Sequence, residues 1–241
     1  MRWIYVSPHF DDAVLSCGGL IYEQGRQGLA VEIWTICAGV PPAGTLSPFA
    51  QEMHRQWGTS SAEETVNVRR QEDQQAGNVL GASVRHFNTP DCIYRRSRQG
   101  TALYTEDVFV PRHPLESGLD RAIAGALRRQ LQDGDVLVCP LGIGCHVDHL
   151  LTRAAVERLD RRTCYYADIP YLLSRPESLP EAISGLKENV YQVSGMGLQA
   201  WQLGIACYLS QLKVLFESQV QMRSAIQEYW MVVPGLRLWE A

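Results

Sequence analysis

Hydrophobic and polar positions along the chain follow two alternating patterns. Trp3-Ile4-Tyr5-Val6 leaves no polar face, as expected of a strand covered on both sides in a parallel sheet, and Pro8 ends the run. Val14, Leu15, Leu20 and Ile21 then recur at helical spacing, with Asp11 or Asp12 as the cap and Gly28 as the stop. Residues 31–40, VEIWTICAGV, read as a second buried strand, which completes one βαβ unit. Residues 41–48 are a loop by composition, and a polar helix over 60–80 follows, with Ser61 and Glu64 spaced as a capping box and Gly81 as its stop.

The same alternation continues downstream. Residues 83–88 predict a third strand, left through the turn Asn88-Thr89-Pro90-Asp91, and 93–112 carry little periodicity and read as an irregular insertion. Leu119, Ile123, Leu127 and Leu131 mark an amphipathic helix over 115–131. Residues 136–141 form the next strand and 146–159 the next helix. Strands over 164–167 and 190–193 and one long helix over 198–222 complete the reading. No repeat or linker breaks the sequence, so residues 1–241 are expected to form a single three-layer α/β/α domain, Rossmann-like, with a mostly parallel sheet.

Composition narrows the partners. A net charge of -4 gives no general attraction for nucleic acid or anionic membrane, and the clusters at Arg95-Arg96-Ser97-Arg98 and Arg161-Arg162 are too short to change that. No apolar run approaches the roughly 18 residues of a membrane span, and no signal peptide is evident, so a cytoplasmic location is expected. The seven cysteines are scattered without a CxxC pair, which speaks against a disulfide framework or thiolate zinc site. Cys145 stands apart because it precedes a histidine cluster.

Two strand ends carry the candidate chemistry. The first strand runs into His9-Phe10-Asp11-Asp12, and the fourth into His146-Val147-Asp148-His149. For any one of these residues a helix cap or solvated surface position is the plain explanation; the repetition at two strand ends argues against it. His9 and Asp12 can converge, and either histidine of the second cluster could face the same point. Three N/O ligands and one open position suit a catalytic zinc, a description that His9, Asp12 and His149 fit. Fe2+ or another divalent metal would accept the same donors. Asp11 is then placed to take a proton from an attacking water. His146, positioned by Asp148, could when protonated stabilise an oxyanion or protonate a leaving amine.

The two clusters resemble those of the LmbE/PIG-L family of zinc-dependent N-acetylglucosaminyl deacetylases. Arg69-Arg70-Gln71-Glu72-Asp73 is similar to that family's Arg/Glu helix, Pro90-Asp91 to its turn after the third strand, and Tyr208-x-Ser210-Gln211 to a segment of bacterial members. The resemblance implies zinc at His9, Asp12 and His149, Asp11 as general base, His146 as charged partner with Asp148 behind it, and a sugar-contacting arginine at Arg69, with Arg70 as the alternative. It implies removal of an N-acetyl group from a small amino-sugar compound or glycoconjugate. Ala13 departs from the family pattern, which continues with Glu.

Two other classes are weighed against this one. A catalytically inactive sugar- or partner-binding protein on the same fold would not need the intact Asp11. A dinucleotide-binding oxidoreductase needs a glycine fingerprint after the first strand, and Gly18-Gly19 instead falls inside the helix, where close packing explains it. Residues 41–59, 88–112 and 168–180 are expected to select the substrate, with Asp91 and Asp168 as candidate polar contacts; either could equally be a turn residue.

Overall fold

The computed structural model describes residues 1–232 and 235–240. In chain order the strands are β1 (Arg2–Ser7), β2 (Ala30–Thr35), β3 (Ser83–His86), β4 (Val136–Pro140), β5 (Thr163–Tyr166), β6 (Lys187–Gln192) and β7 (Gly235–Glu240). The helices are α1 (Asp12–Arg26), α2 (Pro48–Trp57), α3 (Ala62–Leu80), α4 (Leu119–Arg128), α5 (Val147–Glu157), α6 (Tyr171–Ser174), α7 (Leu179–Ala182), α8 (Gly195–Ala206), α9 (Leu209–Phe216) and α10 (Gln219–Val232).

The strands form one sheet in the order β3-β2-β1-β4-β5-β7-β6. All neighbours from β3 to β5 are parallel, while β7 runs antiparallel to both β5 and β6. Because side chains alternate across a strand, each apolar run feeds two cores. Trp3 and Tyr5 of β1 with Val136 and Val138 of β4 join the core that contains residues of α1, α3 and α8. Ile4 and Val6 with Leu137 and Cys139 join the opposite core, with residues of α4 and α5. The three-layer architecture follows from this division.

Gly18 and Gly19 serve the packing of α1 on α8, as the sequence suggests. A Cβ on Gly18 would stand 2.5 Å from Cδ1 of Trp201, and the Trp201 indole N–H donates to the carbonyls of Val14 and Leu15 at 2.8 and 3.1 Å. The indole thereby fixes the depth of the helix whose first turn carries Asp11 and Asp12.

The sequence reading and the structure differ in three places. The expected helix over 198–222 is broken into α8, α9 and α10, because the backbone leaves helical geometry at Tyr208 (φ -85°, ψ 64°) and turns to positive φ at Glu217. Between the expected loop at 41–48 and the expected helix over 60–80 stands α2, which the sequence reading did not assign; it is opened by Ser47, whose side chain accepts the Ala50 N–H at 3.1 Å, and by Pro48 in its first turn. Strand β7 was not anticipated; it supplies Leu236, Leu238 and Trp239 to the two cores. Among the described residues no helix is long and apolar enough to cross a membrane.

Candidate active site

The strand order reverses direction between β1 and β4, which lie side by side and parallel. Open α/β sheets bind ligands at the carboxyl ends of strands at such a point. Both sequence clusters are there. After β1, the hydroxyl of Ser7 accepts the Ala13 N–H at 2.9 Å, so α1 starts without a side-chain cap from Asp11 and leaves that carboxylate free. After β4, Gly142 and Gly144 adopt positive φ in a tight loop that ends at His146, the N-cap of α5. The His146 Nδ1 accepts the backbone N–H of Asp148 at 3.1 Å.

Asp12 lies between two imidazoles. One of its oxygens is 3.1 Å from His9 Nδ1 and the other 3.2 Å from His149 Nε2. The ring of His146 completes the group, with its centroid 4.8 Å from that of His9 and 5.2 Å from that of His149. Ligand atoms of His9, His146 and His149 all come within 4.8 Å of one another. Both second-cluster histidines therefore face the point that the sequence left open between them.

A carboxylate stands behind each of the two histidines that flank Asp12. His9 Nε2 is 3.1 Å from Asp148, and His149 Nδ1 is 2.6 Å from Asp168. Carboxylates in these positions fix the tautomer and orientation of metal-ligating imidazoles. The buried Nε2 of His149 has no hydrogen-bond partner, which leaves it available as a ligand atom. Burial opposes charge on both rings, yet the carboxylates overcome it: Asp91, Asp12 and Asp148 hold His9 well above its usual range, and Asp12 and Asp168 bring His149 up to about 9. The cluster thus concentrates negative potential where a cation would sit, and its N and O donors fit a divalent metal.

The expected site residues fall into distinct positions. Asp11 is buried, 3.5 Å from Arg69, and not bonded to the imidazoles. Burial raises its carboxyl to about 6 against the opposing charge of Arg69. Arg69 is held between the rings of Phe10 and Trp57, at 5.3 and 5.2 Å, while Arg70 turns away to the carbonyl of Ala38. That separates the two arginines. Asp91 accepts the Ile93 N–H in its turn and also stands 3.7 Å from His9.

Two expectations need correcting. Asp168, read as a substrate contact, is fully buried, and its second oxygen accepts the N–H groups of Gly142 and Ile143, so the whole carboxylate is committed inside the protein. Asp148, read as the group that keeps His146 charged, directs its carboxylate instead to Arg95, the Cys92 N–H and His9. His146 is accordingly not held protonated: burial, followed by the nearby His9 and His149, pushes it well below its usual range. Ala13, the departure from the family pattern, is buried in the core.

A cavity of about 1310 Å³ lies next to this cluster but does not contain it. Its walls come from the 40–46 loop, the start of α3, residues 93–97 and residues 115–119. Arg95 belongs to both places, lining the cavity and pairing with Asp148. Sequence reasoning missed Arg95, which it saw only as part of a short basic run, and missed Trp57, whose helix it did not assign.

A histidine and carboxylate cluster at the switch point of an open α/β sheet, with a further carboxylate beside it that does not bond to the imidazoles, is an arrangement suited to a metal-dependent hydrolase. Residues 4–159 match the PIG-L family, described as GlcNAc-PI de-N-acetylase, and the chain belongs to that family. It is 28% identical over 210 residues to a 2'-N-acetylparomamine deacetylase of Niallia circulans, covering 74% of this chain and 70% of that one. A 2'-N-acetylparomamine deacetylase of Streptomyces fradiae is 29% identical over 178 residues, a match that spans 70% of this chain and 57% of that protein. The zinc-inhibited form of teicoplanin deacetylase superposes over 100% of this chain and 97% of its own, with a TM-score of 0.87 and 27% identity. The resemblance found in the two clusters therefore extends through the fold, and the chain is an amidohydrolase of the deacetylase type.

Proposed function

We propose that this protein hydrolyses the N-acetyl group of an amino sugar carried in a small molecule or glycoconjugate, using a divalent metal held by His9, Asp12 and His149. The observation that carries this reading is the Asp12 carboxylate between His9 Nδ1 and His149 Nε2, each imidazole backed by its own carboxylate. Zinc is the expected ion. Once bound, the metal supplies Lewis acidity to the amide carbonyl and the attacking water.

The chain's own residues account for the proton movements. Asp11 accepts a proton as water attacks the acetyl carbon and returns it to the departing amine, the work of a carboxylate that stands beside the donor cluster without bonding to the imidazoles. The Nδ1 of His146 is occupied as an acceptor, so its ring proton resides on Nε2, from which it can hydrogen-bond the developing oxyanion without leaving the ring. Arg69, held between two aromatic rings, anchors sugar hydroxyls, and Asp91 offers an acceptor on the same side.

Arg69→Ala is expected mainly to raise KM, by about tenfold to a hundredfold, the value of a charged hydrogen bond. Steady-state kinetics on the native substrate check this, and unchanged kinetics would remove Arg69 from the site. The function itself is tested by incubating protein with N-acetylated amino sugars before and after chelation and measuring acetate and free amine. Hydrolysis should disappear with the metal and return on reloading with Zn2+. Full turnover after complete chelation, or no acetate from any N-acetylated amino sugar or glycoconjugate tried, would overturn the reading.

A further inference from the structure

We infer that Arg95, supported by Glu116 and Tyr104, is a positioning residue for the metal site and acts on His9 through Asp148. The inference rests on the reading of His9 as a metal ligand and extends it to residues 92–116, which span the irregular insertion read over 93–112 and the start of the helix expected over 115–131.

The contacts run in one line from the insertion to the cluster. The backbone N–H of His113 donates to the Tyr104 hydroxyl at 2.9 Å, and that hydroxyl donates to Glu116 Oε2 at 2.8 Å. The other oxygen of Glu116 is 2.7 Å from Arg95 Nε. The Nη2 of Arg95 pairs with Asp148 Oδ1, and Asp148 Oδ2 accepts the Cys92 N–H at 3.0 Å and meets His9 Nε2 at 3.1 Å. The guanidinium also lies 5.5 Å over the Tyr104 ring. The side chains of Arg95, Glu116 and Asp148 are 7%, 3% and 0% exposed, so this is an interior ion network.

Interior ion networks of this kind are rarely retained for stability, since burying the charges costs about as much as their attraction returns. Orientation is the better reason. The planar guanidinium fixes its nitrogens relative to one another, with Nε toward Glu116 and Nη2 toward Asp148 Oδ1, and Asp148, so held, presents Oδ2 to Nε2 of His9. When a metal is bound, that contact would keep the His9 ring proton on Nε2 and leave Nδ1, on the side of Asp12, as the ligand atom. A second tie supports the same end: the Val147 N–H, at the first turn of α5, donates to the carbonyl of Val108 at 2.9 Å. The insertion therefore holds both the helix that carries His149 and the carboxylate that orients His9.

Arg95→Lys separates positioning from bulk structure, because it keeps the buried positive charge and loses the planar guanidinium. Full-length protein is stripped and titrated with Co2+, with affinity followed by calorimetry and ligand geometry by the d–d absorption band, while melting and far-ultraviolet dichroism report the fold. A folded Arg95→Lys variant is expected to bind Co2+ about 10- to 100-fold more weakly, with an altered band, the range found when a partner of a metal-ligating histidine is lost. Wild-type affinity and band in that variant would overturn the inference. Should Arg95→Lys not fold, Glu116→Gln, which keeps the shape and the acceptor for Tyr104, decides by the same titration: weaker binding supports the inference and unchanged binding overturns it. His149→Ala is titrated alongside. Wild-type binding there removes the metal reading and this inference with it; loss there beside unchanged Arg95→Lys removes the inference alone.

Discussion

Asp11→Asn is expected to keep its fold and its metal while losing about 10²- to 10⁴-fold in kcat, the usual contribution of a positioned acid or base. The substitution is nearly isosteric, and the Asp11 carboxylate makes no cap on α1 that the amide would forfeit. Asp11 meets Arg69 at 3.5 Å rather than the imidazoles, so the Asp12-centred donor set remains complete without it. What the amide cannot do is accept the proton of the attacking water or return it to the amine. Turnover measured at matched metal content checks the point; a variant as active as wild type would exclude Asp11 as the base.

His149→Ala should lose stoichiometric metal, whereas Asp168→Asn should retain the site with metal affinity weakened about 10- to 100-fold. The difference follows from where the two groups stand. His149 offers a buried Nε2 without a hydrogen-bond partner to the cluster, beside the Asp12 carboxylate, and its removal takes away one of the three proposed ligands. Asp168 touches only the far nitrogen of His149 and two backbone N–H groups, so its loss releases the ring without removing the ligand. Metal analysis after gel filtration tests the first variant and competition with a chromophoric chelator the second. Equal zinc in wild type and His149→Ala would end the ligand assignment.

The parts of the fold and site that were legible in the sequence are those whose causes are local. β1 and β4 read correctly because strands covered on both faces need unbroken apolar runs, and the two clusters stand out because each is four residues long. α3 announced its ends through Ser61 and Gly81, the latter at φ 72°. The apolar stripe after Leu198 was misread because apolar spacing persists across Tyr208 and Glu217, where the backbone turns; periodicity records burial, and three short helices packed on one face bury much as one long helix would. The roles of Asp148 and Asp168 were illegible for a different reason. Arg95 is 53 residues from Asp148, and His149 is 19 from Asp168, so the identity of the partner depends on tertiary structure. A carboxylate two residues from a histidine suggested a pair, and the start of α5 turned the two side chains to different neighbours.

The place of β7 between β5 and β6 has a consequence for how the chain is made. The last strand in sequence enters the sheet between two that precede it, so β6 has no hydrogen-bonded neighbour until residues 235–240 arrive. Emerging from the ribosome in order, the strands from β1 to β5 can join through parallel crossovers and bring His9, Asp12, His146 and His149 together before β7 is available. The nascent protein would then carry its assembled chemical half beside an open edge at β5, an edge of the kind that invites association with other chains. Closing it falls to six residues that include Trp239, fully buried once in place. The arrival of β7, more than the folding of the strands that carry the two clusters, is therefore what closes the exposed edge of β5 against other chains.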